Sequence, residues 1–228
     1  NADGTFGVEK APIAKVGETS YYTMDEAFHA AVASGETLYL LRDYTTNSEQ
    51  NSGSNSFTID LNNHTWTYTG TDTNYAAFEI NYPNVTLTVK NGTVVSNSMI
   101  GLIPSAMGGK ITYDNSGLVF EKVEATANGH SGIETNGNNT SDTVTLKNST
   151  LNVPNGFGIY FPSSGKLTID NSKITAKTLG VQVCSGSLDI SGADTKIEVT
   201  GNPVPKTEND GAIQDGAAIS IVNRTGYK

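Results

Sequence analysis

Glu134, Tyr160 and Gln182 hold the same place in three successive copies of a short motif: Gly132-Ile133-Glu134-Thr135, Gly158-Ile159-Tyr160-Phe161 and Gly180-Val181-Gln182-Val183. Alternate side chains of a strand face opposite sides, so if Ile133, Ile159 and Val181 turn inward these three turn outward. Strands stacked about 4.8 Å apart would then set a carboxylate, a phenol and an amide in one row. A row of that kind can accept hydroxyl hydrogens and offer an aromatic face, which is the chemistry of holding a sugar. It also reads as an ordinary solvated wall, because binding sites are marked by polar groups that converge on a concavity. His130, four residues before Glu134, adds an imidazole, and Tyr75, Tyr82 and Phe157, in or near loops, add candidate exposed aromatics. Glu134 with Asp142 would make an acid pair able to cleave a glycosidic bond, given a carboxyl separation of about 5–9.5 Å.

These residues are positioned by a repeat. The pattern apolar-x-apolar-x-Asn-x-x-apolar-x-apolar runs through Ile59, Leu61, Asn63, Trp66 and Tyr68, and again through Leu87, Val89, Asn91, Val94 and Ser96. Further copies are Ile111, Tyr113, Asn115, Leu118 and Phe120; Val144, Leu146, Asn148, Leu151 and Val153; and Leu167, Ile169, Asn171, Ile174 and Ala176. A looser sixth copy, from Leu188 to Val199, has Gly192 in place of the asparagine and two extra residues in its bend. The asparagines recur at intervals of 28, 24, 33 and 23 residues, and self-similarity at that period signals a solenoid. Each unit reads as strand, bend, strand, followed by a third small-apolar-x-apolar strand, the series beginning with Ala77-Phe78-Glu79-Ile80 and Gly101-Leu102-Ile103-Pro104. Three strands per turn, each stacked on its equivalent in the next, describe an all-β chain coiled as a parallel β-helix. Asparagine and glycine accept the left-handed backbone of its sharp bends. The Asn-x-Ser/Thr sequons at Asn63, Asn91 and Asn148 coincide with those bends and are assigned to them rather than to glycosylation.

The repeat equivalents of Trp66 are Val94, Leu118, Leu151 and Ile174, so the single tryptophan is expected inside. Ahead of the coils, residues 1–12 read as an extended or disordered lead and residues 13–22 as a hairpin. Thr23-Met24-Asp25-Glu26 is a capping box, opening a helix that should run from Met24 to Ser34, stop at Gly35 and cover the first coil with Met24, Ala27, Phe28 and Ala31. Residues 37–200 then form the coils, with polar excursions expected at 43–56, 69–75, 136–142 and 201–216, and an added strand at 121–127. Residues 217–228 resume the wall as a last strand. A bare last strand is an aggregation hazard that chains normally cover, so further coils are expected beyond Lys228 in a longer polypeptide.

The segment from Tyr22 to Ala31, followed by Gly35-Glu36-Thr37-Leu38-Tyr39-Leu40-Leu41, resembles the helix-then-strand opening of pectin-lyase-like right-handed β-helices. It is most similar to the form found in surface proteins of Gram-positive gut bacteria. The resemblance spans residues 13–228 and implies a right-handed coil and an extracellular or cell-surface location, but it does not imply an enzyme. Lyases of this family are marked by aspartates holding calcium beside a basic residue, whereas the only arginines here are Arg42 and Arg224. Gly129-His130-Ser131-Gly132 resembles the Gly-His-Gly segment of the polygalacturonases without their paired aspartates.

Composition bounds the rest. The chain has 228 residues, a formal net charge of −9 and 36% hydrophobic residues, whose periodic placement argues for a packed core over disorder. The acidic balance argues against a nucleic-acid partner, and no apolar run is long enough for membrane insertion. Cys184 is the only cysteine, which excludes an intrachain disulfide and a multi-cysteine metal site; it reads as a small filler at the end of a strand. No cofactor is expected; calcium is left open, with no residue pattern that calls for it. The expected function is a non-catalytic extracellular module that recognises a glycan or a host surface protein, or serves as a stalk. The alternative is a carbohydrate-active enzyme, a polysaccharide lyase or glycoside hydrolase, with an acidic site around His130, Glu134 and Tyr160.

Overall fold

In a computed structural model of the chain, the residues described are 10–70, 76–97, 101–103, 115–205 and 211–223. Ala14–Val16 and Thr19–Tyr21 pair antiparallel around Gly17, whose φ of 56° suits the turn, and Ala14–Val16 also pairs with Leu38–Leu40. Between hairpin and coils runs one helix, Met24–Ser34. Thr23 is extended at the N-cap; its hydroxyl accepts from the Glu26 amide and donates to the Glu26 carboxylate at 2.6 Å. Gly35, left-handed at φ 72°, ends the helix by donating its amide to Ala31 O. Met24, Ala27, Phe28 and Ala31 are buried, and Phe28 meets Phe57 edge to face at 4.9 Å. The apolar face of the helix is therefore part of the core.

Among the described residues, all later strand pairing is parallel, in three columns. The first column stacks Leu38–Leu40, Phe57–Asp60, residues 86–90, residues 117–121, Thr143–Lys147, Lys166–Asp170 and Ser187–Ser191. The second stacks Tyr44–Thr46, Thr65–Tyr68, residues 92–96, residues 123–127, Thr150–Val153, Lys173–Ala176 and Lys196–Val199. The third runs Gln50–Asn51, Ala76–Glu79, Gly101–Ile103, Ser131–Glu134, Phe157–Phe161, Leu179–Val183 and Ile219–Ile221. Inward side chains lie one above another, as in the column Ile59, Val89, Phe120, Leu146, Ile169, which is fully buried. One apolar core runs unbroken from Ile13 to Val183, with Trp66 inside it between Tyr44 and Phe78. Glycine opens the later third-wall strands because the coils come so close there. A Cβ on Gly158 or Gly180 would lie 2.4 Å from Gly180 O or 2.3 Å from Ala218 O.

The pairing corrects the repeat at three points. Phe120 stacks on Val89 and Glu121 on Lys90, so the residue at the level of Asn91 is Lys122, not Asn115. Lys122 takes the left-handed backbone there, at φ 54°. Asn115 is also left-handed, at φ 61°, but in another bend, where its amide donates to Asn84 Oδ1 at 3.2 Å; Ile111 and Tyr113 lie outside the described residues. The sharp-corner column is thus Asn63, Asn91, Lys122, Asn148, Asn171 and Gly192. Secondly, residues 121–127 are not an added strand but the ordinary second-wall strand of that coil, continuous with the first in Gly117–Ala127. Thirdly, residues 43–56 are no excursion: Tyr44–Thr46 and Gln50–Asn51 are the second and third walls of the first coil. Parallel pairing is made by backbone groups, so a polar segment joins a wall without carrying the apolar alternation that would announce it.

Candidate functional site

The third wall carries the row anticipated from sequence. Ile133, Ile159 and Val181 are in register and buried in the core, and Glu134, Tyr160 and Gln182 are in register beside them. The row is not an open solvated wall, however: Tyr160 is 7% exposed and Gln182 is fully buried. Residues 201–205 and 211–216, from the stretch expected as a polar excursion, fold back over it; residues 206–210 lie outside the described residues. Gly201 and Gly216 are tied to the coil through Lys177 O and Thr178 O, and the Val204 amide donates to Gln214 O. The Thr178 hydroxyl donates to Gln214 Oε1 at 2.6 Å. The Gln182 amide is then used up structurally: its Oε1 accepts the Ile213 amide at 2.7 Å, and its Nε2 faces Gly211 O and Cys184 Sγ. Gly211 passes so near the Tyr160 ring that a Cβ would sit 2.9 Å from it, so this crossing requires glycine. Phe157, Tyr160, Leu179, Cys184 and Ala212 form a small second core outside the wall. Phe157 is accordingly buried rather than exposed, Tyr82 is exposed, and Tyr75 lies outside the described residues.

The cover stops short of the start of the row and leaves a cleft of about 250 Å³, lined by His130, Glu134, Phe157, Tyr160, Gly211, Ala212 and Gln214. Glu134 ends the strand Ser131–Glu134, with His130 just before that strand and four residues back; His130 Nε2 stands 3.4 Å from Glu134 Oε1. The His130 ring meets Phe157 edge to face at 5.7 Å, and Phe157 meets Tyr160 in the same way at 6.4 Å. His130 Nδ1 is buried and without a hydrogen-bond partner, an arrangement that costs free energy unless a ligand or a water fills it. The cleft thus offers an imidazole, a carboxylate, an amide and aromatic edges within a few ångströms.

Other candidates separate from it. Asp142 is fully buried and accepts the Asn139 amide at 2.6 Å, so it is committed inside the loop 136–142 and is no open partner acid for Glu134. Asn139 is buried as well, while residues 138, 140 and 141 of the same loop are exposed. His29 sits beside Asp25 on the cap helix and His64 beside Asp43 at the first corner, each 3.5 Å from its carboxylate. Among the described residues no three His, Cys, Asp or Glu side chains converge as a metal site. Among them, too, no helix is long and apolar enough to cross a membrane. The residues missed from sequence are Gly211, Ala212 and Gln214. Their one signal was Gly211-Ala212-Ile213, a small-small-apolar run like those that open third-wall strands, set within a polar stretch.

Comparison with curated proteins and with solved structures gives no match. A family model described as "Right handed beta helix region" matches residues 45–204, which spans the coils from the second wall of the first to the start of the covering segment. The chain belongs to the right-handed β-helix family.

Proposed function

We propose that the domain is a recognition module of a bacterial extracellular or cell-surface protein, and that it binds a glycan at the cleft beside His130 without cleaving it. The observation that supports this most directly is the composition of the cleft: aromatic edges from Phe157 and Tyr160 flank a single carboxylate, Glu134, with His130 Nε2 3.4 Å from its Oε1. Glycosidases of the common kind use two carboxyl groups flanking the bond. Among the described residues that line this cleft there is one, and Asp142 is held elsewhere. A sugar ring seated here would place its C–H face on the aromatic side and its hydroxyls toward Glu134 Oε, the His130 imidazole and the Gln214 amide.

The test is a glycan array probed with the purified domain, with and without calcium, each hit then being incubated with the domain and analysed for cleavage products. Binding without products, lost in Glu134→Gln and His130→Ala, is the expected result; a blank array would sink the glycan reading in favour of a protein partner or a plain stalk. The close His130–Glu134 contact also favours one second reading, a lyase or hydrolase in which this pair moves a proton. Products that appear with the wild type and vanish with Glu134→Gln would establish that instead.

A further inference from the structure

At the sharp corner between the first and second walls, three successive coils depart from the regular build and open a groove of about 570 Å³. None of its lining residues lines the His130 cleft. The second coil has two more residues in its bend than the third, and both Asn62 and Asn63 are left-handed. The fourth coil puts Lys122 where the others put asparagine or glycine, and a left-handed backbone costs a residue with a full side chain about 1–2 kcal/mol. Such outliers persist where the surroundings hold them, and they cluster at binding sites.

The side chains around the groove divide into fixed and free. Asp60 is fixed: it accepts from the Asn62 amide at 2.9 Å and from Asn91 Nδ2 at 3.0 Å, and Lys90 Nζ stands 3.6 Å away. Asn63, Thr93, Lys122 and Glu124 have no side-chain hydrogen bond or ion pair among the described residues. The lysines in neighbouring coils differ, since Lys90 is paired with Asp60 and Lys147 with Glu121. An amide, a hydroxyl, an ammonium and a carboxylate are therefore left unengaged around one concavity. Their charges cancel between Lys122 and Glu124, and that of Asp60 is met by Lys90, so the groove suits an uncharged ligand. Hydroxyl groups that each donate and accept would use all four.

We infer that this corner groove is a second saccharide site, one that takes a neutral pyranose through its hydroxyl groups, with Lys122 as the principal donor. The site is independent of the reading given to the His130 cleft, and the test separates the two. Amide-resolved NMR of the domain is followed during titration with methyl glycosides of glucose, galactose, mannose and N-acetylglucosamine, and with methyl glucuronide as the charged control. Lys122→Asn is the main variant. It places at this corner the residue that already folds there at positions 91, 148 and 171, so loss of binding cannot be put down to loss of fold. The expected result is a saturable shift of amides in 62–63, 91–93 and 122–124 with a neutral glycoside, weakened about tenfold by Lys122→Asn. Shifts confined to residues 130–134 and 211–214, no saturable shift up to the solubility limit, or unchanged affinity in Lys122→Asn would overturn it. Equal or tighter binding of the glucuronide would overturn the neutral-ligand assignment.

Discussion

The sharp corner is built in two ways along the same stack. At Asn148 and Asn171 it is closed by side chains: Asn171 Nδ2 donates to Asn148 Oδ1 at 2.8 Å, Ser149 Oγ accepts the Val123 amide at 3.1 Å, and Ser172 Oγ accepts the Ser149 amide at 3.0 Å. At Asn63, Asn91 and Lys122 the backbone is equally left-handed, but Asn91 turns to Asp60 and Lys122 has no amide to pass along the row. The backbone of a corner and the side-chain closure of a corner are thus separate properties. The first is demanded by coil geometry, whereas the second can be given up where side chains are needed for something else.

The core beneath should not differ, and the largest predicted effects test that. Ile59 lies in the coil of the open corner and Ile169 in that of the closed one, in the same inward column and both fully buried. Ile59→Ala and Ile169→Ala should each cost about 2–5 kcal/mol by chemical denaturation. A much smaller cost at Ile59 would mean that the core itself loosens beneath the groove, and the corner would no longer be the point of difference. The next effect lies in the closure. Ser149→Ala removes the acceptor of a buried amide and should cost about 1–3 kcal/mol. Thr93→Ala, at a hydroxyl with no partner beside the open corner, should stay within about 0.5 kcal/mol. If the two cost the same, the open corner is held by interactions equivalent to those of the closed one.

The same division governs what could be read from sequence. The helix was legible because its signals are local: Thr23 Oγ1 accepts the amide of Glu26 three positions on and donates to the Glu26 carboxylate, and Gly35 supplies a backbone conformation that few other residues accept. Trp66 was legible because its repeat equivalents are aliphatic. The fourth coil defeats the sequence reading because asparagine is not the invariant mark of the corner. Asn115 serves a different bend, and the corner itself carries a lysine, a residue with no local preference for that backbone. The apolar spacing held the right answer, since Leu118 and Phe120 followed by Val123, Ala125 and Ala127 leave only Glu121 and Lys122 between the two apolar runs. Burial of Tyr160 and Gln182 was not legible at all. Their cover is a polar segment held by scattered hydrogen bonds to Gln182, Thr178 and Lys177, and such contacts leave no periodicity in either partner.

The smallest predicted effect is the most discriminating, because it has the opposite sign. If Lys122 is kept at the corner for a ligand, it is kept against local stability: the left-handed region is disfavoured for a lysine and tolerated by asparagine. Lys122→Asn should therefore stabilise the free domain, by about 0.5–1 kcal/mol as judged from backbone replacements at comparable positions. Asn171→Lys, the reverse change at the closed corner, should destabilise it by more, because it also breaks the bond to Asn148. Thermal melts of the two variants beside the wild type decide the matter. A Lys122→Asn protein that melts below the wild type would show that the lysine contributes to folding, and the groove would then be a consequence of how that coil packs rather than a reason for the residue to be there.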